Sequence, residues 1–410
     1  MPSIAKRGQS TPLSPFRKLS PVADRAKASG KKVYHLNIGQ PDILTPQPAL
    51  QRLRETPLEI LAYSAAEGNL SYRAKLATYY ERFGIALAPE EVVVTTGGSE
   101  GILFFMLACL DPGDEIIIPE PFYANYNGFA HMAGVVVRPI STVIETGFAL
   151  PPADAFRQAI GPRTRAIFIT NPNNPTGCCY DRAALEELGA IVKEHDLYLC
   201  VDEVYREFCY DGHNFYSALL LPGLEDNVVV IDSISKRYSA CGARIGALLT
   251  RNADVREAVL RFSRLRLSPP GLGQLLGEYL IDDDAAYLDA VKAEYDRRRH
   301  TVFRRLQAMP GVDSYLPGGA FYCFARFPIH SAEDFCLWLL ESFSHEGATV
   351  MLSPGEGFYA TPGRGVDEVR IAYVLREEDL EAAMDCLEAA LEAYPGRKAA
   401  ELLFSGAARV

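Results

Sequence analysis

Positive charge is scarce in this chain: 41 Lys and Arg against 52 Asp and Glu give a formal charge of −11 over 410 residues. A nucleic-acid backbone is therefore not its expected main partner, because a groove for phosphates needs the opposite balance. No apolar run approaches the length that crosses a bilayer. Residues 1–32 carry Lys6, Arg7, Arg17, Lys18, Lys31 and Lys32 among scattered Pro and Ser, without the apolar stretch of a signal peptide. There is no CxxC. The nine cysteines are an odd number, and Cys109, Cys200, Cys323, Cys336 and Cys386 lie in apolar runs, which reads as buried thiols in a reducing compartment and makes the cytosol the expected location. The neighbours Cys178 and Cys179 read as small hydrophobes rather than as a redox pair. Seven histidines without HExxH, or any other ligand spacing, indicate no metal.

What is present is an ordinary core-forming composition, 48% hydrophobic and 23% charged, which excludes disorder as the main state. From about residue 90 to 250 short Val- and Ile-rich runs recur: Val92 to Val94, Ile116 to Ile118, Val135 to Val137, Ala166 to Ile169, Tyr198 to Val201, Val228 to Ile231 and Ile245 to Leu249. Runs without polar alternation suit strands buried on both faces, and the segments between them, such as Glu100 to Leu110 and Asp181 to His195, have helical character. The expectation is an α/β fold whose large domain has a mainly parallel seven-stranded sheet flanked by helices. After Thr250 come long helical stretches, Ala253 to Leu267 and Leu272 to Met309, the second expected as a solvent-facing connector. Short strands around Gly319 to Phe327 and Val369 to Val374 then mark a smaller α+β domain, which the strand-like Val33 to Ile38 is expected to join. The expected division is 1–49, attached to the small domain, 50–285 and 286–410. Residues 396–410 are expected to form a helix or a frayed tail.

Ligands of open parallel sheets bind at the carboxyl ends of the strands, so the residues after each run carry the most information. Thr95-Thr96-Gly97-Gly98-Ser99 leads into a helix, where bare backbone and a capping Ser99 suit a phosphate. Neither GxGxxG nor GxxxxGK occurs in that position. Tyr123 follows the second run and places a ring at the same rim. Asn171-Pro172-Asn173-Asn174-Pro175-Thr176-Gly177 makes a stiff turn at a strand end. Asp202 sits directly on the end of a buried strand, where it needs a partner such as a cationic ring nitrogen. Lys236 ends another, in Asp232-Ser233-Ile234-Ser235-Lys236, with Arg244 eight residues on, and a lysine so placed suits covalent chemistry. A phosphate cradle, a stacking ring, a fixed Asn, a buried acid and an amine are together what pyridoxal 5'-phosphate requires.

On these residues the chain, from about Leu36 to Tyr373, resembles the class I, aspartate aminotransferase-like, pyridoxal-phosphate-dependent aminotransferases of fold type I. The most specific pieces are NPNNPTG at Asn171 to Gly177, DEVY at Asp202 to Tyr205, SISK at Ser233 to Lys236 with Arg244, and Arg370 in Val-Arg-Ile-Ala-Tyr. The resemblance implies that Lys236 holds the cofactor as an internal aldimine and then moves the proton, that Asp202 pairs with the pyridinium nitrogen, and that Asn174 and Tyr205 hydrogen-bond the ring oxygen. It implies further that Gly98, Ser99, Ser233 and Arg244 bind the phosphate, that Tyr123 stacks on the ring, and that Arg370 takes the substrate α-carboxylate as a bidentate pair with Gly39 lying over the substrate. Tyr63 matches a tyrosine reaching the phosphate of a neighbouring subunit, so a homodimer is implied. The implied activity is ping-pong transfer of the amino group of an L-amino acid, aspartate first, to a 2-oxo acid, 2-oxoglutarate first.

Ser233-x-x-Lys236 also fits the SxxK of serine acyl-enzymes, but no SDN or KTG accompanies it. A β-lyase of the same fold, releasing a thiolate, would use the same lysine, aspartate and arginine and is the alternative. A non-catalytic DNA-binding regulator would need more than the thirty residues that precede the match. In some relatives acting on aspartate a lysine follows the double glycine; here Ser99 stands there, leaving Arg17, Arg25, Arg264 or Arg266 as candidates to meet a distal carboxylate.

Overall fold

The computed structural model describes residues 2–12, 18–282 and 285–398. Arg17 and residues 399–410 of the expected tail lie outside these. Strand β1 (Lys32–His35) precedes the seven strands of the main sheet: β2 (Val92–Thr95), β3 (Glu115–Glu120), β4 (Val136–Ser141), β5 (Thr164–Thr170), β6 (Tyr198–Asp202), β7 (Val228–Ser233) and β8 (Gly246–Leu249). Their order is β2-β8-β7-β6-β5-β3-β4; β8 runs against both of its neighbours and the other pairings are parallel.

The period of two along each strand sends alternate side chains to opposite faces. Val92, Val94, Ile167, Ile169, Leu199 and Val201 join one apolar cluster, while Val93, Ile116, Ile118, Phe168 and Cys200 join another on the other face. Helices such as Gly98–Cys109 and Arg182–Glu194 cover these faces. Strand β4 departs from the expected burial on both sides. It is one of the two edge strands, its residues are exposed or half-buried, and it tolerates Pro139 because one of its sides has no ladder to complete.

The expected stretch from Leu272 to Met309 is two helices, Gly271–Asp282 and Ala285–Ala308. The second is more than a solvent-facing connector, since Val291, Tyr295, Val302 and Leu306 on one of its faces enter a third apolar cluster. That cluster is built around the remaining strands, β9 (Asp313–Ser314), β10 (Tyr322–Arg326), β11 (Ala348–Met351), β12 (Ser353–Pro354) and β13 (Glu368–Ala372). Four of them form an antiparallel sheet in the order β12-β13-β10-β9, and β11 pairs in parallel with β1, in the register Lys32↔Ala348. Strand β1 thus pairs with the C-terminal part of the chain. No helix among the described residues is long and apolar enough to cross a membrane.

Glu120, at the buried end of β3, fastens this part of the chain to the main sheet. Its carboxylate accepts from the Ala360 and Thr361 amides at 2.9 and 3.1 Å and from Ser141 Oγ at 2.9 Å. Two residues on, the Phe122 amide donates to the Phe358 carbonyl at 2.9 Å. Glu120→Ala would leave two backbone donors without acceptors, at about 1–3 kcal/mol each, so a loss of about 2–5 kcal/mol is expected in urea unfolding.

Candidate active site

The site forms where β2, β8 and β7 end together. Because β8 is antiparallel, its first residue, Gly246, lies opposite both Thr95 and Ser233, and the preceding Arg244 arrives at the edge where the parallel strands finish. A Cβ on Gly246 would fall 2.5 Å from the Gly97 carbonyl carbon and 2.7 Å from the Asp232 oxygen, so only glycine lets the three strand ends come this close. Gly97 has φ 74°, and a Cβ there would meet Arg244 Nη2 at 2.4 Å. The guanidinium therefore rests on bare backbone at the start of the helix Gly98–Cys109, where free N–H groups and the helix dipole favour an anion. One expectation is corrected here. Gly97 occupies the N-cap position and no side chain caps this helix, so Ser99 lies inside its first turn.

Asp202 ends β6 and is 6% exposed. Tyr126 Oη donates to its Oδ2 at 2.7 Å and also lies 2.7 Å from Thr170 Oγ1, while the Val204 amide donates to Oδ1 at 3.3 Å. Burial pushes the carboxyl up to about 6, against the lowering effect of the Tyr126 bond. Among the described residues no cation forms an ion pair with it.

Ser233 caps the short helix Ile234–Arg237, accepting from the Ser235 amide at 3.1 Å. Lys236 Nζ, on that turn, donates to the Gly39 carbonyl at 2.7 Å and lies 3.9 Å from Cys241 Sγ. The turn is anchored by charges buried beneath it: Arg237 donates to both oxygens of Asp232 at 2.6 Å, and Arg206 lies 3.6 Å from Asp232 and 3.4 Å from Glu203. Burial pushes Glu203 up to about 7, with Ser217 and the Ala218 amide as its donors.

Arg370, on β13, closes the other side. Its Nη1 donates to Asn174 Oδ1 at 3.0 Å, its Nη2 to the Asn37 carbonyl at 2.5 Å, and its guanidinium lies 4.5 Å from the centre of the Tyr322 ring. Asn174 Nδ2 reaches Tyr205 Oη at 3.5 Å, and Tyr205 Oη is 2.9 Å from Tyr322 Oη. Gly39 must be glycine, because a Cβ there would fall 1.8 Å from Tyr322 Oη. Asn125 holds Tyr123 in place through a 2.7 Å bond to its hydroxyl.

One cavity of about 970 Å³ brings together Gly39, Gly98, Ser99, Tyr123, Asn174, Asp202, Tyr205, Ser233, Lys236, Arg244 and Arg370. Tyr63 is not among its lining residues and is 80% exposed. The sequence reading missed Tyr126, Tyr322 and Asn37. Tyr126 follows Tyr123 by one helical turn, a spacing that could have flagged it; Tyr322 and Asn37 carried no signal of their own. Arg25 pairs with Glu341 and Arg266 with Glu100, and neither these nor Arg264 line the cavity.

The set fits pyridoxal phosphate. An anion cradle that a single Cβ at Gly97 would fill, a buried acid facing the cavity without a cationic partner, and an amine between them answer the phosphate, ring nitrogen and aldehyde of that group. Gly97→Ala is expected to displace the Arg244 guanidinium and weaken cofactor retention roughly tenfold or more, since one charged hydrogen bond is worth about 1.5–3 kcal/mol; an absorbance titration measures this. For Asp202 the folded value lies above that of a free carboxyl, so its contribution to stability is present at low pH and is lost as pH rises through about 6. Cofactor-free Asp202→Asn is therefore expected to be more stable than cofactor-free wild type by about 2–3 kcal/mol at pH 8. The difference should disappear below about pH 4, as followed by urea unfolding across that range.

Comparison with known proteins agrees with this geometry. The family described as aminotransferase class I and II matches residues 31–387. The aspartate/prephenate aminotransferase of Thermus thermophilus is 31% identical over 395 residues, covering 92% of this chain and 97% of its own, and the aspartate aminotransferase of Rhizobium meliloti is 30% identical, covering 95% and 96%. Among solved structures, the alanine aminotransferase of Pyrococcus furiosus superposes with a TM-score of 0.86 at 30% identity, over 95% of this chain and all of that one. With a matched region that spans every residue lining the cavity beyond Pro21, the chain belongs to the class I and II aminotransferase family.

Proposed function

We propose that this aminotransferase binds pyridoxal phosphate in the 970 Å³ cavity and moves the amino group of an L-amino acid, aspartate first, to a 2-oxo acid, 2-oxoglutarate first, in two half-reactions. The observation that carries the reading is that the buried Asp202 carboxyl, the Lys236 amine and the Arg370 guanidinium open on the same cavity. When bound, the cofactor supplies an aldehyde that condenses with amines and a ring that accepts the electrons of the substrate Cα–H bond.

This chain's residues do the rest. Asp202 holds a proton on the ring nitrogen, and Tyr126 keeps the carboxylate turned toward it. Arg244 and the first-turn amides of Gly98–Cys109 grip the phosphate, while Asn174 and Tyr205 orient the ring oxygen. Arg370 takes the α-carboxylate with two parallel N–H groups. Lys236 Nζ, once released, takes up the Cα proton and returns it as general base and acid. Its turn is held by the Asp232–Arg237 pair, so the amine has little freedom to miss. The cavity wall offers Gln40, Ser99 and Asn125 as neutral donors to a distal carboxylate. The two relatives named for aspartate support that donor, and the relatives' aminotransferase names do not favour the β-lyase.

The active form we propose is a cytosolic homodimer, with 50–285 as the cofactor-binding domain and 1–49 joining 286–410. Exposed apolar side chains support it: Ile60, Leu61, Tyr63, Leu265 and Leu267 all face outward, which would leave Tyr63 available to a neighbouring subunit. Purified protein is expected to show the yellow absorbance that pyridoxal phosphate gains on joining a protein amine, and Lys236→Ala to lack it. Single amino acids added without an oxo acid should yield one equivalent of 2-oxo acid per subunit, fastest with aspartate. Release of pyruvate and ammonia from cysteine-type substrates would overturn the assignment.

A further inference from the structure

Behind the large cavity, two thiols that the reaction does not use come together. Cys179 follows the Asn171 to Gly177 turn, Cys209 follows Tyr205 by four residues, and Cys179 Sγ donates to Cys209 Sγ across 4.0 Å. Gly319 makes room for the first sulfur, since a Cβ there would lie 2.4 Å from Cys179 Sγ. Backbone bonds hold both segments in place: Asn173 N to Cys178 O at 2.8 Å on one, Ala320 N to Phe208 O at 2.8 Å and Tyr210 N to Gly318 O at 2.9 Å on the other. Both cysteines also line a second cavity, of about 280 Å³, whose wall includes Arg182, His213 and Asn214. The wall also carries Asp181, and Arg182 is paired with Glu186 at 2.7 Å, so Asn171, Asn214 and His213 are the groups left to receive the polar end of a small disulfide.

We propose that Cys179 and Cys209 are a disulfide-forming pair, oxidised through this cavity by a low-molecular-weight disulfide of the glutathione class. One cysteine, as thiolate, attacks a reagent sulfur; the reagent S–S bond breaks and one small thiol leaves, taking up the proton the cysteine gave. The second cysteine, deprotonated in turn, attacks the protein-bound sulfur of the mixed disulfide and expels the second small thiol. Two protein thiols are oxidised and one reagent disulfide is reduced to two thiols. The sulfurs must close from 4.0 Å to about 2.0 Å. The bond to Cys209 and then burial hold the Cys179 thiol well above its ordinary value, so closure should quicken as pH rises. The link would tie the turn that carries Asn174 to the segment that carries Tyr205.

The test is incubation of the full-length protein with oxidised glutathione at pH 7 and pH 9, followed by tryptic mapping without reductant. The expected result is a cross-link between peptides 166–182 and 207–236, formed faster at pH 9 and reversed by dithiothreitol. Peptide 166–182 holds both Cys178 and Cys179, so Cys178→Ser should keep the link while Cys179→Ser and Cys209→Ser abolish it. Because a link across this loop restricts the unfolded chain, oxidised wild type should also unfold at a higher temperature than its reduced form, a shift absent in Cys209→Ser. A link that needs Cys178, or glutathione remaining on one cysteine without ring closure, would overturn the proposal.

Discussion

The convergence of three strand ends on Gly246 is the constraint on which the site depends. An all-parallel sheet would deliver Arg244 to the opposite edge; the reversal of β8 brings it to the carboxyl edge, between the start of the helix Gly98–Cys109 and the Lys236 turn. Packing that close is possible only without side chains, and it is at Gly97 and Gly246 that an added Cβ would strike the arginine or neighbouring backbone. The anion cradle is thus less a set of ligands than a place where backbone is left uncovered.

Charge burial does the second part of the work. Asp232, Arg237, Arg206 and Glu203 lie almost fully buried under the Lys236 turn. Such a cluster is a weak source of net stability, because desolvation offsets much of the attraction, but breaking it strands an uncompensated charge. It therefore resists distortion, and Lys236 inherits that rigidity. Asp202 is the contrasting case: its donors among the described residues are the neutral Tyr126 hydroxyl and Val204 amide, and burial holds its proton more tightly than in water. A cationic ring would supply a partner, which is the role proposed for the ring nitrogen of the cofactor.

Much of this was legible in residue order. Buried parallel strands announce themselves by Val- and Ile-rich runs, and the residues after them must lie at one edge, so Asp202, Lys236 and the double glycine could be assigned to one site without coordinates. Burial of β4 was misjudged because a run of apolar residues does not say which strand has only one neighbour. Ser99 was taken for a cap because the backbone conformation of Gly97, which moves the helix start by two residues, leaves no trace in composition. Tyr322 and Asn37 were missed since both come from elements far from the main sheet in sequence.

By itself the sequence determined the local chemistry: which runs form strands, where each ends, and which acid, amine and guanidinium follow, because periodicity and side-chain type are properties of short segments. The tertiary structure decided everything that depends on distance between segments. Arg370 meets Asn174 across 196 residues, a Cβ on Gly39 would strike Tyr322, Tyr63 faces outward rather than into its own cavity, and Cys179, read as a small hydrophobe, stands 4.0 Å from Cys209. The reason is physical: contact between remote segments is set by how buried surfaces pack, and no single segment carries that information.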